Sequence, residues 1–566
     1  MDINILIGGA AGQGLETIAY LLSKSMVRQG FGIRSSRDYM SRVRGGHNFF
    51  RLRIATESPL AASGGADILV ALNQETYELH HTALTGKGKV IYDPDLFSLP
   101  ENEPRGVPVR LQALAQEAGG AIMSNSVATG AVLVLLGMDT FTVEQLLAEE
   151  FASKEGMAEK NIAALKAGYQ EASRTCRACF ELPLKNSRER HIFLDGNEVL
   201  GMSALASGCR FISAYPMTPA TGVMSYMAGK QGDCDVVVEQ AEDEIAAINM
   251  ALGASYAGLR AMTSTSGGGF ALMAEGLSLA GMTETPLVII LAMRPGPATG
   301  LPTRTEQGDL NFALFAGHGE FPRAVLSATC LEDAFYRLNK AFELADKYQI
   351  PVIFLSDQDF ADTARSIEPF DFSRLHYNRY LVETWDSGTP YRRYRLNDSG
   401  ISPRALPGMF PGEVVLVDSD EHDEEGHIIE DATTRNNMVE KRLARLNSLA
   451  AEMDEPEHYG AVDPDILLVG WGSTYGALRE AVDTLNLKGD KAAMVHFSDL
   501  WPLPTKTLLE LLPRVQKSFC VENNATGQLA GLIRRQTGLS LDHQILKYDG
   551  RPFLPTDIIR EVKIHE

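Results

Sequence analysis

From about His191 to Leu375 the chain repeats one pattern, a short apolar run followed by a polar or glycine-rich turn and then a helix-period stretch. Strands are expected at Phe211 to Ala214, Asp235 to Val238, Arg260 to Thr263, Leu287 to Leu291 and Val352 to Leu355. Helices are expected at Gly196 to Ser207, Thr221 to Gly229, Asp243 to Tyr256, Phe270 to Ala280 and Leu331 to Lys347. Apolar runs of this length are strands buried on both faces, and strands joined by helices run parallel, so the pattern predicts a parallel sheet covered by helices. Ligands of such sheets sit at the carboxyl ends of the strands.

The same style extends to both sides. Ile3 to Ile7 reads as a strand, Gly8 to Gly14 as a tight loop and Leu15 to Gln29 as a helix stopped by Gly30, with further strands at Ile68 to Leu72 and Lys89 to Tyr92. A helical stretch from Val143 to Ala172 closes this block before the polar linker Lys185 to Arg190. At the other end, strands at Ile466 to Val469, Ala493 to His496 and Ser518 to Val521 alternate with helices at Tyr475 to Leu485, Lys506 to Leu512 and Gly527 to Thr537. The expected architecture is α/β with three α/β domains, 1–184, 191–375 and a smaller 461–566, and an irregular connection over 376–460. A chain of 566 residues has room for that many cores.

A net charge of −21 argues against nucleic acid, whose binding needs a positive footprint. No apolar run nears the roughly 20 residues of a membrane span; Ala131 to Met138 and Pro286 to Met293 have the length of buried strands or helix cores. The start lacks the basic flank and apolar stretch of a signal peptide, so a cytoplasmic protein is expected. Six cysteines do not make a disulfide framework. Cys176 and Cys179 alone are close, as a redox dithiol, half a metal site or two thiols on one helical turn.

Several motifs fall at the ends of expected strands. In Gly9-Ala10-Ala11-Gly12-Gln13-Gly14 the bare amides and helix start suit a phosphate, though the spacing is not the dinucleotide G-x-G-x-x-G, and a plain tight turn fits as well. Arg34, Arg37, Arg42, Arg44, Arg51 and Arg53 around Gly45-Gly46-His47 suit an anion, or form the outer face of a β-hairpin. In Tyr215-Pro216-Met217-Thr218-Pro219 two prolines stiffen the chain about Thr218, a substrate contact or a structural turn. Glu239, Glu242, Asp243 and Glu244 cluster where a helix begins, which its dipole explains for most of them. One acid turned toward the apolar face of Ile245, Ala246, Ile248 and Ala251 would have a raised pKa and could act in proton transfer. Arg294 follows a buried strand, as a surface arginine or a carboxylate clamp, and 302–307 reads as an ordered polar loop. The acids of Asp418 to Asp431 with His422 and His427 read as a solvated loop or a metal site.

Taken in order, these motifs with Ser41-Arg42-Val43-Arg44-Gly45-Gly46, Thr265-Ser266-Gly267-Gly268-Gly269-Phe270 and Gly317-His318-Gly319-Glu320-Phe321-Pro322-Arg323 resemble the alpha subunit of the 2-oxoacid:ferredoxin oxidoreductases with its gamma domain fused in front. The resemblance covers essentially the whole chain. It implies a gamma-like domain, a thiamine-diphosphate pyrimidine-binding-type domain and a transketolase C-terminal-like domain. It implies oxidative decarboxylation of a 2-oxoacid with coenzyme A to an acyl-CoA and carbon dioxide, using thiamine diphosphate and passing electrons to ferredoxin.

By position the resemblance matches Glu242 to the glutamate that hydrogen-bonds the cofactor's aminopyrimidine, and Thr218 and Arg294 to the residues that hold the 2-oxoacid. It gives Gly12, Gly14, Arg42 and Arg44 to coenzyme A and leans toward 2-oxoglutarate, whose distal carboxylate would suit the arginines of 34–53. Pyruvate, a branched-chain acid, a non-redox thiamine enzyme and a non-catalytic anion-binding protein are the alternatives. The sequence contains no Gly-Asp-Gly with a downstream Asn for Mg²⁺ and diphosphate, and no cysteine set for an iron-sulfur cluster. The resemblance places both on a beta subunit, in a dimer of alpha–beta heterodimers, so the chain is expected to be inactive alone.

Overall fold

A computed structural model describes residues 2–41, 46–182, 191–385 and 388–565. Two compact units emerge, Met1–Leu194 with Asp362–Pro369, and Asp195–Ala361 with Phe370–Glu566.

The first unit is built on an eight-stranded sheet in the order Gly106–Pro108, Leu84–Tyr92, Ala66–Ala71, Asp2–Ala10, His47–Ala55, Gly32–Asp38, Thr363–Ile367 and Ile192–Asp195. Asp2–Ala10 and the three strands before it in this order are parallel, while His47–Ala55 and Gly32–Asp38 form an antiparallel hairpin with Arg34 opposite Arg53. The second hairpin strand pairs with Asp2–Ala10. The run Ala131 to Met138 belongs mainly to a helix, Ser124–Leu135, buried from Ser126 onward. Helix Met157–Ser173 crosses it backbone to backbone, because a Cβ on Gly130 would lie 2.0 Å from the Leu165 oxygen and one on Gly168 2.0 Å from the Val127 oxygen. The expected helix from Val143 to Ala172 is two helices, Phe141–Glu150 and Met157–Ser173, separated ahead of Gly156 at φ 71.

The second unit holds two sheets. The larger runs Asp499–Trp501, Ala324–Ser327, Pro351–Asp357, Leu287–Met293, Arg260–Thr265, Cys209–Ala214 and Val237–Gln240, parallel except for the first strand. The smaller runs Glu457–Gly460, Ala492–Phe497, Ile466–Trp471, Lys517–Glu522 and His543–Leu546, parallel except for its first. The parallel sheet read from the alternation is therefore present. Four short strands, Ala324–Ser327, Glu457–Gly460, Asp499–Trp501 and His543–Leu546, were too brief to mark themselves by pattern.

Among the described residues the connection 376–460 is irregular apart from a 19-residue helix, Ala432–Ala450, and the edge strand Glu457–Gly460 at its end. Its buried face carries Lys441, Arg442 and Arg445 between Met438 and Leu449, and these cations interrupt the apolar stripe and conceal its helical period. Lys441 Nζ lies 2.7 Å from Oε1 of Glu284, both fully buried, and the three cations facing Glu284, with Arg393 among them, hold that carboxyl down at about 2 against the opposing effect of burial. In the acidic run Glu421 pairs with Arg442, and His422 is buried against the Tyr394 ring, 3.9 Å between centroids. Among the described residues no three of His, Cys, Asp or Glu gather as a cation site.

Candidate active site

The carboxyl ends of four adjacent strands of the larger sheet, those ending at Gln240, Ala214, Thr265 and Met293, face one region. After Ala214 the chain makes the stiff loop Tyr215 to Ala220. Three contacts pin it. Arg294 Nη1 donates to the main-chain oxygen of Thr218 at 2.7 Å, Asn197 Nδ2 donates to the Pro219 oxygen at 3.1 Å, and Ser266 Oγ donates to Met217 Sδ at 3.1 Å. Thr218 and Arg294, 76 residues apart, are thus in direct contact. Both are half-buried, and burial pulls the Arg294 guanidinium below its ordinary value.

The acids divide by position. Glu239 and Glu242 are exposed. Asp243 caps the helix Glu244–Tyr256, its side chain accepting from the Ala246 amide at 2.7 Å. Glu244 is 4% exposed, and its Oε1 is buried without a hydrogen-bond partner. It stacks above Ala247, Ile248 and Ala251 on the buried face. The acid turned inward is therefore Glu244; Glu242, matched to the pyrimidine contact by resemblance, lies before the helix, where no periodicity turns it toward the core. Carrying the i, i+3, i+4, i+7 spacing back from Ala251 and Ile248 lands on 244, the signal by which the sequence marks it.

The glycine-rich turn makes room for that carboxylate. A Cβ on Gly269 would lie 2.1 Å from Thr265 Oγ1 and 2.7 Å from Glu244 Oε1. A Cβ on Gly267 would lie 2.5 Å from Oδ2 of Asp309, a residue not singled out in the sequence. Burial pushes Asp309 up to about 6, and it and Asp309's own charge raise Glu306 as well. Contacts thus run from Arg294 through Thr218, Met217 and Ser266 to the turn that holds Glu244. An unpaired carboxylate oxygen in a dry recess is a ready partner for a ring nitrogen, so these residues fit a thiamine pyrimidine.

Arg323, the end of the Gly317 to Arg323 motif, is buried and donates to the oxygens of Ala313 and Ala316, closing the helix Leu310–Phe315.

In the first unit, Gly12 and Gly14 have φ 91 and 76, and Gly14 begins helix Leu15–Arg28 with no side-chain cap. A Cβ there would strike Asn125 at 2.0 Å. Gln13 Oε1 accepts from the Ala10 amide at 2.6 Å. The hairpin arginines have protein partners, which departs from their reading as an anion cluster: Arg53 binds Asp2, Arg37 binds Asp362, Arg34 donates to Thr363, and Arg51 donates to the Ser63 oxygen. Arg42 and Arg44 lie outside the described residues.

Residues 202–441 match the family described as pyruvate flavodoxin/ferredoxin oxidoreductase, thiamine diP-bdg. Residues 4–171 match pyruvate ferredoxin/flavodoxin oxidoreductase, and 464–558 match pyruvate:ferredoxin oxidoreductase core domain II. A 2-oxoacid:ferredoxin oxidoreductase subunit alpha from Sulfolobus sp is 33% identical over 99% of this chain and 96% of its own length. The 2-oxoglutarate oxidoreductase subunit KorA of Mycobacterium tuberculosis is 30% identical over 99% of this chain and 91% of its own. Among solved structures, a 2-oxoglutarate:ferredoxin oxidoreductase from Magnetococcus marinus, with 2-oxoglutarate, coenzyme A and succinyl-CoA bound, superposes with a TM-score of 0.94 at 32% identity, covering 100% of this chain and 99% of that one.

Proposed function

The chain belongs to the 2-oxoacid:ferredoxin oxidoreductase family as an alpha subunit, and we propose that it acts on 2-oxoglutarate with coenzyme A, forming an acyl-CoA and carbon dioxide and passing electrons to ferredoxin, once a beta subunit completes its site. The 2-oxoglutarate names and ligands of the KorA relative and of the Magnetococcus enzyme support that substrate. The observation that carries the reading is the buried, unpartnered Glu244 Oε1 beside a turn whose glycine leaves space for it.

Thiamine diphosphate, when bound, supplies the electron sink that carboxylate loss requires. Glu244 would hydrogen-bond the aminopyrimidine ring through Oε1, a role that the resemblance matches to Glu242; the burial of its unpartnered oxygen supports taking Glu244 instead. The dry recess strengthens that hydrogen bond, since water competes poorly there. Arg294 presents its remaining fork of donors to the 2-oxoacid carboxylate, and the Thr218 loop fixes the acid's orientation. Gly12 and Gly14, with Arg42 and Arg44, serve coenzyme A through amides at a helix start. The beta subunit holds Mg²⁺, the diphosphate and the iron-sulfur cluster, and covers exposed Tyr215, Ile245, Leu272 and Leu301 around the strand ends, in a dimer of alpha–beta heterodimers.

Co-expression with a beta subunit tests this reading. The complex should reduce ferredoxin when given 2-oxoglutarate and coenzyme A, with a higher kcat/KM than for pyruvate or a branched-chain 2-oxoacid, and the chain alone should not. A reversed preference would overturn the substrate; turnover by the isolated chain would overturn the shared site.

A further inference from the structure

Cys176 and Cys179 take no part in the chemistry above. They are bonded to each other across two intervening residues, just past helix Met157–Ser173, while Cys209, Cys234, Cys330 and Cys520 are in no disulfide. Both are half-buried, within reach of a small solute. A bond that closes so short a ring removes little freedom from the unfolded chain compared with one closing a long loop, so global stability is a poor reason for it.

What the ring holds is local. Inside it Ala178 sits at φ 52, a left-handed conformation that alanine disfavours. Its amide donates to the Val134 oxygen at 2.9 Å, and the Phe180 amide donates to the Leu135 oxygen at 2.9 Å. The Leu182 amide reaches the Leu136 oxygen at 3.5 Å. These bonds reach carbonyls at the end of the buried helix Ser124–Leu135, where the helix supplies no donor of its own, although the Val134 oxygen also accepts from the Gly137 amide at 3.2 Å. Cys179 and Phe180 also pack against the core of the unit. The disulfide and the helix cap are therefore one local structure, with a redox bond at one side and buried carbonyls at the other.

We propose that Cys176 and Cys179 are a reversible dithiol–disulfide couple whose oxidised form latches residues 178–182 onto the end of helix Ser124–Leu135. The reductant is a low-molecular-weight thiol. Its thiolate attacks one sulfur, the bond between the two cysteines breaks, and a second thiol resolves the mixed disulfide. Two electrons and two protons pass to the pair, leaving two cysteine thiols, and the reductant departs as its own disulfide. Arg177, exposed, lies between the two cysteines in the sequence. With the bond open Ala178 is released from φ 52 and its hold on Val134 loosens.

The test uses the full-length chain equilibrated at graded ratios of glutathione to glutathione disulfide, trapped with maleimide and mapped by peptide mass. Cys176 and Cys179 should gain label together in a single two-electron transition, while buried Cys209 and Cys520 stay unlabelled. Hydrogen exchange at Ala178, Phe180 and Leu182 should quicken by about tenfold or more in the reduced protein, as local opening becomes easier. A Cys176→Ser, Cys179→Ser double variant should show that faster exchange in oxidising buffer too. Labelling of both cysteines at every ratio, or reduction only after denaturation, would overturn the couple. Exchange that is unchanged by reduction and in the double variant would overturn the latch.

Discussion

Arg294 Nη1 donates to the main-chain oxygen of Thr218 at 2.7 Å, not to its hydroxyl, so a single guanidinium ties the end of one strand to the loop leaving another. This bond uses one of five N–H donors. Arg294→Lys keeps the charge and loses the fork, and kcat/KM for the 2-oxoacid should fall by about 10–100-fold, the worth of one charge-assisted pair, mostly through KM. Arg294→Ala also frees the Thr218 loop, and kcat should fall with it. Steady-state kinetics of the reconstituted complex check this, and an unchanged Arg294→Lys enzyme would remove Arg294 from the substrate site.

Glu242 and Glu244 differ by two residues and by burial. Glu244→Gln keeps the shape and removes the carboxylate, and kcat should drop by about 10²–10⁴-fold, the usual span for a positioned proton-transfer group. Glu242→Gln, at an exposed position, should stay within about twofold of the parent. Near-UV circular dichroism on adding thiamine diphosphate and Mg²⁺ to the complex gives a second readout, lost in Glu244→Gln and kept in Glu242→Gln. The reverse pattern would return the role to Glu242.

The strands around the site were legible because apolar runs such as Leu287–Met293 are buried end to end, and burial on both faces is what an unbroken run encodes. Thr218 and Arg294 were legible as strand-end residues, yet their contact was not, since it depends on the spatial order of strands that the chain visits out of sequence. Which of the four neighbouring acids faces the core was hidden for a related reason. Composition at a helix start follows the dipole and says nothing of direction, and only the phase of Ala247, Ile248 and Ala251 points to Glu244. Helix Ala432–Ala450 stayed hidden because buried cations paired with Glu284 and Glu421 interrupt the apolar stripe between Met438 and Leu449.

Gly269 is needed for space. In Gly269→Ala the new methyl meets Thr265 Oγ1 at 2.1 Å and Glu244 Oε1 at 2.7 Å. Overpacking of this kind costs about 1–3 kcal/mol, which urea unfolding of the chain should register. Activity should fall further than stability accounts for, because the displaced group is the carboxylate itself. Thr265→Ala in the same background removes the nearer collision and should recover part of the stability. If the double variant is no more stable than Gly269→Ala, the collision is not what limits that position.

Asp309 supplies a pH signature. Burial holds its folded pKa at about 6, above its ordinary 3.8. Below 3.8 both states carry the proton and the group contributes nothing. Between 3.8 and 6 the unfolded chain ionises while the folded one keeps its proton, so this residue makes stability fall as pH rises, and above 6 the loss is constant. Two pH units correspond to about 3 kcal/mol, and the solvent that half-buried Asp309 still meets reduces this to about 1–2 kcal/mol. Asp309→Asn, which cannot ionise, should match the parent near pH 4 and exceed it by that amount at pH 7 in urea unfolding. Asp357, also held at about 6 by burial, titrates in the same window in both proteins and cancels from the difference. A stability difference that is flat from pH 4 to 7 would mean that Asp309 ionises normally in the folded chain.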